Sequence, residues 1–165
     1  MPFRNSVTVP SPAESRIAAL VQAYLAADYR WELDGQWFPM PVGARAPELE
    51  HAFPQAGNFG LLSAWNPHSV ERADEENRAE DELLRAALAA TGLPYRAAFS
   101  SARNRTWREP SWIVMDMPAT ELDALARRFG QLATVHAERG RTVRLRVYHA
   151  ALPNGPGHEL VDWVR

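Results

Sequence analysis

From Phe59 onward the chain carries two helical stripes set among five short apolar runs, in an order that leaves few ways to bury them all. Phe59 to Trp65 reads as a buried strand broken by Asn66-Pro67. Glu75 to Ala90 places Leu84, Ala87 and Leu88 on one helical stripe, and Gly92 stops it. Tyr95 to Ala102 and Ser111 to Met117 read as strands joined by the polar segment Arg103 to Pro110. Pro118 opens a helix whose inward stripe is Leu122, Leu125, Ala126 and Phe129, closed by Gly130. Leu132 to Ala137 and Thr142 to His149 complete the series. Strand, helix, strand, strand, helix, strand, strand predicts an α+β fold: an antiparallel sheet with a split βαβ (ferredoxin-like) core, both helices on one face, and an extra C-terminal edge strand.

The residues before Phe59 add an N-terminal helix and a hairpin. Ser11, Pro12 and Glu14 make a capping box, followed by Ile17, Leu20, Val21, Tyr24 and Leu25 at helical spacing, which predicts a helix over Pro12 to Ala27. Asp34-Gly35 sits between two alternating runs and signals a tight hairpin, because glycine accepts the positive φ the turn demands. Pro39, Pro41, Gly43, Pro47 and Pro54 predict a surface loop. The reading is one domain over residues 1–165: a loose arm at 1–10, helix, hairpin and loop at 11–58, a βαββαββ core at 59–149 and a tail at 150–165.

Composition removes whole classes of function. The 165 residues include no Cys, so disulfides, thiol nucleophiles and Cys-ligated metals are excluded. There is no Lys either, so a catalytic lysine is excluded, and arginine-for-lysine with abundant alanine points to a GC-rich bacterial genome. Eighteen basic against 20 acidic residues give a net charge of -2, which counts against nucleic acid as a partner. No apolar run approaches the roughly 18 residues of a membrane span, so no membrane partner and a cytoplasmic location are expected. The five histidines never stand at i, i+4 with a helical glutamate, and no phosphate loop or nucleophile elbow occurs. The expected metal and cofactor set is none, and no catalytic residue is assigned.

The topology itself points to a site. With the first core strand pointing up, four segments meet at the upper end of the sheet: Trp65 to His68, the start of the helix at Glu75, the Arg103 to Ser111 connection, and Gly130-Gln131. Convergence from separate elements is what a small-molecule site requires. The residues it would contain are Trp65, Asn66, His68, Asn77, Arg103, Arg105, Trp107, Glu109, Ser111 and Gln131.

Several of these have a plainer role beside the functional one. Asn66 precedes proline and suits an extended turn position. Asn77 puts an amide on the apolar stripe of its helix, where it needs a partner, although an apolar side chain there is expected to be tolerated. Glu109 beside Trp107 is either an acid with a raised pKa, fit for proton transfer, or the ion partner of Arg103, Arg105 or Arg108. Gln131 could simply cap the preceding helix, and His68 could face solvent. The alternation of Arg144 and Arg146 with apolar neighbours predicts an exposed strand face.

Leu62-Ser63-Ala64-Trp65-Asn66-Pro67, Glu76-Asn77, Trp107-Arg108-Glu109-Pro110-Ser111-Trp112 and Phe129-Gly130-Gln131-Leu132-Ala133, taken in order and spacing, resemble the bacterial family known as domain of unknown function 3293. The similarity covers roughly Tyr24 to Val135. Ser63 stands where that family suggests Thr, and Leu132 where Asn is frequent. The resemblance implies where a site lies and names no chemistry.

The functional expectation is a soluble protein with a site for a small, anionic or amide-rich molecule at one end of the sheet. The anionic part rests on Arg103, Arg105 and Arg108 in the upper connection and on the helix N-terminus nearby. The alternative is an interaction or regulatory module without catalysis, docking a partner or forming a homodimer through the edge strand Thr142 to His149.

Overall fold

The computed structural model describes residues 12–104, 106–153 and 158–165. The N-terminal arm, the cap residue Ser11, Arg105 and residues 154–157 of the tail lie outside them. Eight strands form one sheet in the order β2-β1-β4-β5-β3-β6-β7-β8: β1 (Asp28–Leu33), β2 (Gln36–Pro39), β3 (Asn58–Leu62), β4 (Tyr95–Ser101), β5 (Arg108–Met115), β6 (Ala133–Glu138), β7 (Arg144–Val147) and β8 (Val161–Trp163). The helices are α1 (Pro12–Ala26), α2 (Pro47–Ala52), α3 (Asp74–Ala90) and α4 (Ala119–Arg128). Helix α3 carries the chain from β3 to β4 with β5 lying between them, and α4 carries it from β5 to β6 with β3 between them. All pairings are antiparallel except β7 with β8.

The two-residue period of a strand decides which layer each side chain joins. Phe59, Leu61, Ile113, Met115, Val135 and Leu145 face one way and form a core with Val21 of α1 and Leu49 of α2. Leu62 and Val114 face the other way and pack with Leu84 and Leu88 of α3 and Leu122 of α4. Both core helices therefore share one face, and the N-terminal helices cover the opposite one. Gly60 shows how closely α4 sits, because a Cβ there would stand 2.8 Å from Leu122 Cδ2.

Four expectations change. The proline-rich loop contains α2: Pro47 occupies its first turn, and Leu49 anchors it in the core at 0% exposure. Six residues are too few to show a helical period in the sequence. Strand β7 is not an edge, because β8 pairs with it from outside, so the sheet ends at β2 and β8. Strand β5 begins at Arg108, inside the expected connection, and puts Glu109 on a strand. Arg146 does not lie on an exposed face: its side chain, 17% exposed, is paired with Asp123. Among the described residues no helix is long and apolar enough to cross a membrane.

Candidate functional site

Strand β3 ends at Leu62, and the next residues leave the sheet in an unusual backbone. Asn66, His68 and Ser69 all have positive φ, at 46°, 58° and 55°, a region that non-glycine residues enter at a cost of about 1–3 kcal/mol each. Asn66 is thus left-handed and not extended as Pro67 alone would favour, because its own amides are held from α3. Asn66 N–H donates to Asn77 Oδ1 at 2.8 Å, and Asn77 Nδ2 donates back to Asn66 Oδ1 at 2.8 Å. Arg72 completes the cluster, with Nε donating to Asn77 Oδ1 at 2.7 Å and its guanidinium reaching Ala64 O at 2.9 Å.

The other side of this segment is fixed by the end of α4. His68 N–H donates to Gly130 O at 2.7 Å, and Gln131 Nε2 donates to Trp65 O at 3.0 Å. Gly130 has to be glycine: its φ is 66°, and a Cβ would come within 2.7 Å of Pro67 Cβ. Arg16 of α1 reaches His68 O at 2.7 Å, and the Tyr24 and Ser69 hydroxyls are hydrogen-bonded to each other.

Between this segment, α1 and the upper end of the sheet lies a narrow slot of about 70 Å³. Tyr24, Asn66, Trp107, Glu109, Ser111 and Gln131 line it, with further hydroxyls from Tyr29, Ser63, Ser69 and Ser100. The register explains the assembly: Tyr29 pairs with Ser100, and Ser100 with Glu109, so the three form one row across β1, β4 and β5. That row is on the α1 face, opposite α3 and α4.

Glu109 is the ionisable centre of the slot. Burial pushes its carboxyl up to about 7, against the opposing pull of the Ser63 hydroxyl and the Asn66 amide. Neither Arg103 nor Arg108 pairs with it. Arg103 Nε donates to Ala26 O at 3.0 Å, and the Arg108 guanidinium carbon lies 3.8 Å from the centre of the Phe99 ring. Among the described residues Glu109 takes part in no ion pair, and no arginine or histidine lines the slot. Tyr24 and Tyr29 both have raised pKa values, first because they are buried and further because the Glu109 charge is close.

Of the sequence-derived set, Asn66, Trp107, Glu109, Ser111 and Gln131 line the slot. Asn77, 1% exposed, stands behind Asn66. Trp65 contributes its carbonyl to Gln131, while its buried indole nitrogen has no partner in the structure. His68 and Arg103 belong to separate surface hollows, beside Gly130 and beside Ala26 respectively. Arg105 is outside the described residues. Tyr24, Tyr29, Ser63, Ser69 and Ser100 line the slot without belonging to that set, because the sequence places α1 in chain order but not on a face. Among the described residues no group of three or more His, Asp or Glu side chains is arranged to hold a metal ion.

A model of the family described as Protein of unknown function (DUF3293) matches residues 62–134. This segment, from the last residue of β3 into β6, is similar to that family. It includes Ser63, Asn66, Asn77, Trp107, Glu109 and Gln131, whereas Tyr24 and Tyr29 lie before it. No curated protein and no solved structure matches the chain.

Proposed function

We propose that the slot under α1 binds a small polar molecule and that Glu109 is the group that reads it. The observation that carries this is a half-buried carboxyl facing a cavity with no counter-ion among the described residues. Such a group costs stability, and a structural role alone would be served by a pair. The supporting frame is rigid on every side. Asn66 is fixed by Asn77 and Arg72, Gln131 by the Trp65 carbonyl, and Tyr24 by Ser69.

The electrostatics favour the amide-rich part of the sequence expectation over the anionic part. Arg103 and Arg108 are turned to other partners, and the first turn of α3 already carries Asp74, Glu75 and Glu76. An anion entering the slot would meet the carboxyl of Glu109 with no cation among the described residues to offset it. Hydrogen-bond donors on the ligand would instead meet carboxyl and hydroxyl oxygens.

A thermal-shift screen of small metabolites on the parent and on Glu109→Gln tests the reading. A binder stabilises the folded state by mass action, so hits should raise the parent's midpoint and leave the variant's where it is. Hits that raise both midpoints equally would place binding elsewhere.

A further inference from the structure

We infer that the ligand of this slot is a small organic cation, an alkylammonium or alkylguanidinium, for which Glu109 is the counter-ion; this rests on the slot being a ligand site. Three independent features of the geometry lead there. The first is charge: the lining holds one acid and no base among the described residues. The second is aromatic lining, since Tyr24 and the 42% exposed Trp107 line the slot together with Glu109, and aromatic rings beside a carboxylate suit a partly desolvated cation.

The third feature is the polarity of the amide chain behind Glu109. Arg72 is a guanidinium and can only donate, so Asn77 Oδ1 is its acceptor and Asn77 Nδ2 must point to Asn66 Oδ1. Asn66 Oδ1 also accepts from Arg72 N–H at 3.2 Å. With its oxygen committed twice, Asn66 has only its NH₂ left to offer the slot that Glu109 also lines. A donor beside a carboxyl favours the ionised form, so the amide chain favours a carboxylate while burial works against one. A bound cation resolves that conflict.

Among the described residues the charged and titratable groups around Glu109 are few. From α1 they are Tyr24 and, behind it, Arg16; from β1, Tyr29; from the segment after β3, Arg72 acting through two amides. Burial keeps Tyr24 and Tyr29 neutral through the neutral range, which leaves Glu109 to set the pH response. Below its pKa, binding releases one proton: the neutral carboxyl gives up H⁺ and the carboxylate pairs with the incoming cation. Apparent affinity then follows the ionised fraction and is about tenfold weaker at pH 6 than at pH 8.

The test titrates methylguanidinium, methylammonium, acetamide and acetate separately at constant ionic strength, following the Trp107 indole and Glu109 carboxyl signals by NMR. The expected result is saturable binding of at least one of the two cations, about tenfold weaker at pH 6, lost in Glu109→Gln, with no binding of acetate. The pH comparison is made on the parent itself, so the result does not depend on how well the variant folds. Cation binding that ignores pH overturns the inference, as does binding retained by a folded Glu109→Gln protein. Binding of acetamide alone overturns it while leaving the slot a ligand site. Binding of none of the four overturns the cation reading, and the metabolite screen still decides the slot.

Discussion

Two acids taken out of water on opposite faces of the sheet are treated in opposite ways. Asp123, on α4 and 5% exposed, is gripped by Arg146 through two hydrogen bonds of 2.9 and 2.7 Å and by the Tyr148 hydroxyl at 2.8 Å. Burial alone would raise its pKa, but those hydrogen bonds and the nearby arginine charges outweigh burial and hold it below the usual carboxylate value. Glu109, on the α1 face, has neutral partners only, and burial wins. The fold thus supplies a fully paired solution where the outer strands need one and omits it at the slot. A buried group kept at a cost, beside strained backbone and a cavity, is where a local rule gives way to function.

The comparison breaks first at the paired acid. Arg146→Ala should destabilise the protein by about 3 to 5 kcal/mol, because it strands Asp123 rather than merely removing a contact. Chemical denaturation measures this. Because the folded pKa of Asp123 is depressed, its contribution is present above the unfolded value and is lost as pH falls through the folded one, so the cost of the substitution should shrink in acid. A cost below about 1 kcal/mol at neutral pH would mean that solvent screens the pair and the contrast with Glu109 is not real.

At the unpaired acid the sign reverses. A carboxyl whose folded pKa is raised from 4.5 to about 7 favours the folded state most below the unfolded value and loses that advantage as pH rises through the folded one. Allowing for its partial exposure, the parent should lose about 2 to 3 kcal/mol between pH 4 and pH 8 from this group. Glu109→Gln should flatten that part of the profile and be the more stable protein at pH 8. Parallel pH profiles for the two proteins would show that Glu109 titrates as an exposed acid.

A smaller effect is expected behind the slot, and it revises a reading of the sequence. Placed on an apolar stripe, Asn77 invites replacement by an apolar residue, yet its amide serves Asn66 N–H, Asn66 Oδ1 and Arg72 Nε. Asn77→Leu should cost about 1 to 2 kcal/mol, because it leaves buried hydrogen-bonding groups without a partner. Asn77→Asp keeps the acceptor and loses the donor, so it should recover part of that loss by urea denaturation. Equal stability of parent and Asn77→Leu would show that the amide cluster is solvated.

What could be read in advance follows from the range of the forces involved. The stripes Leu84-Leu88 and Leu122-Phe129 are periodic within one element, so their burial on a shared face was legible. The Asp34-Gly35 turn was legible because positive φ has a residue signature, and both residues adopt it. The left-handed Asn66, His68 and Ser69 carried no such signature, since contacts from α1, α3 and the end of α4 impose their backbone. Likewise α2 and β8 are too short to show a period and exist because the rest of the fold receives them. The slot was half legible: its segments lie at one end of the core topology, but Tyr24 joins them only because α1 packs on the opposite face from α3. That Arg103 and Arg108 turn away from Glu109, and that Arg146 reaches Asp123, are matters of three-dimensional approach that spacing along the chain does not encode.

Asp81 offers an intermediate between the two acids and the smallest expected effect. It is half-buried on α3, and Trp112 Nε1–H donates to its Oδ1 at 2.9 Å. Burial raises its pKa, and the indole donor opposes that without cancelling it. Like Glu109 it is half-buried and takes part in no ion pair among the described residues; unlike Glu109 it feels the charge of a nearby arginine, Arg85, and lies on the α3 face, away from the slot. Asp81→Asn preserves an oxygen for the indole and removes the charge, so stability should change by less than about 1 kcal/mol. The sign should favour the variant as pH rises above the folded pKa, because a raised pKa means that the charged form is the less welcome one in the folded state. Thermal melts of Asp81→Asn and Glu109→Gln across the same pH series separate two explanations of the Glu109 shift. If both variants respond alike, partial burial on this sheet is enough to raise any acid, and the slot has no special claim. If only Glu109→Gln shows a large response, the enclosure between α1, the strained segment after β3 and the upper end of the sheet is what sets that carboxyl apart.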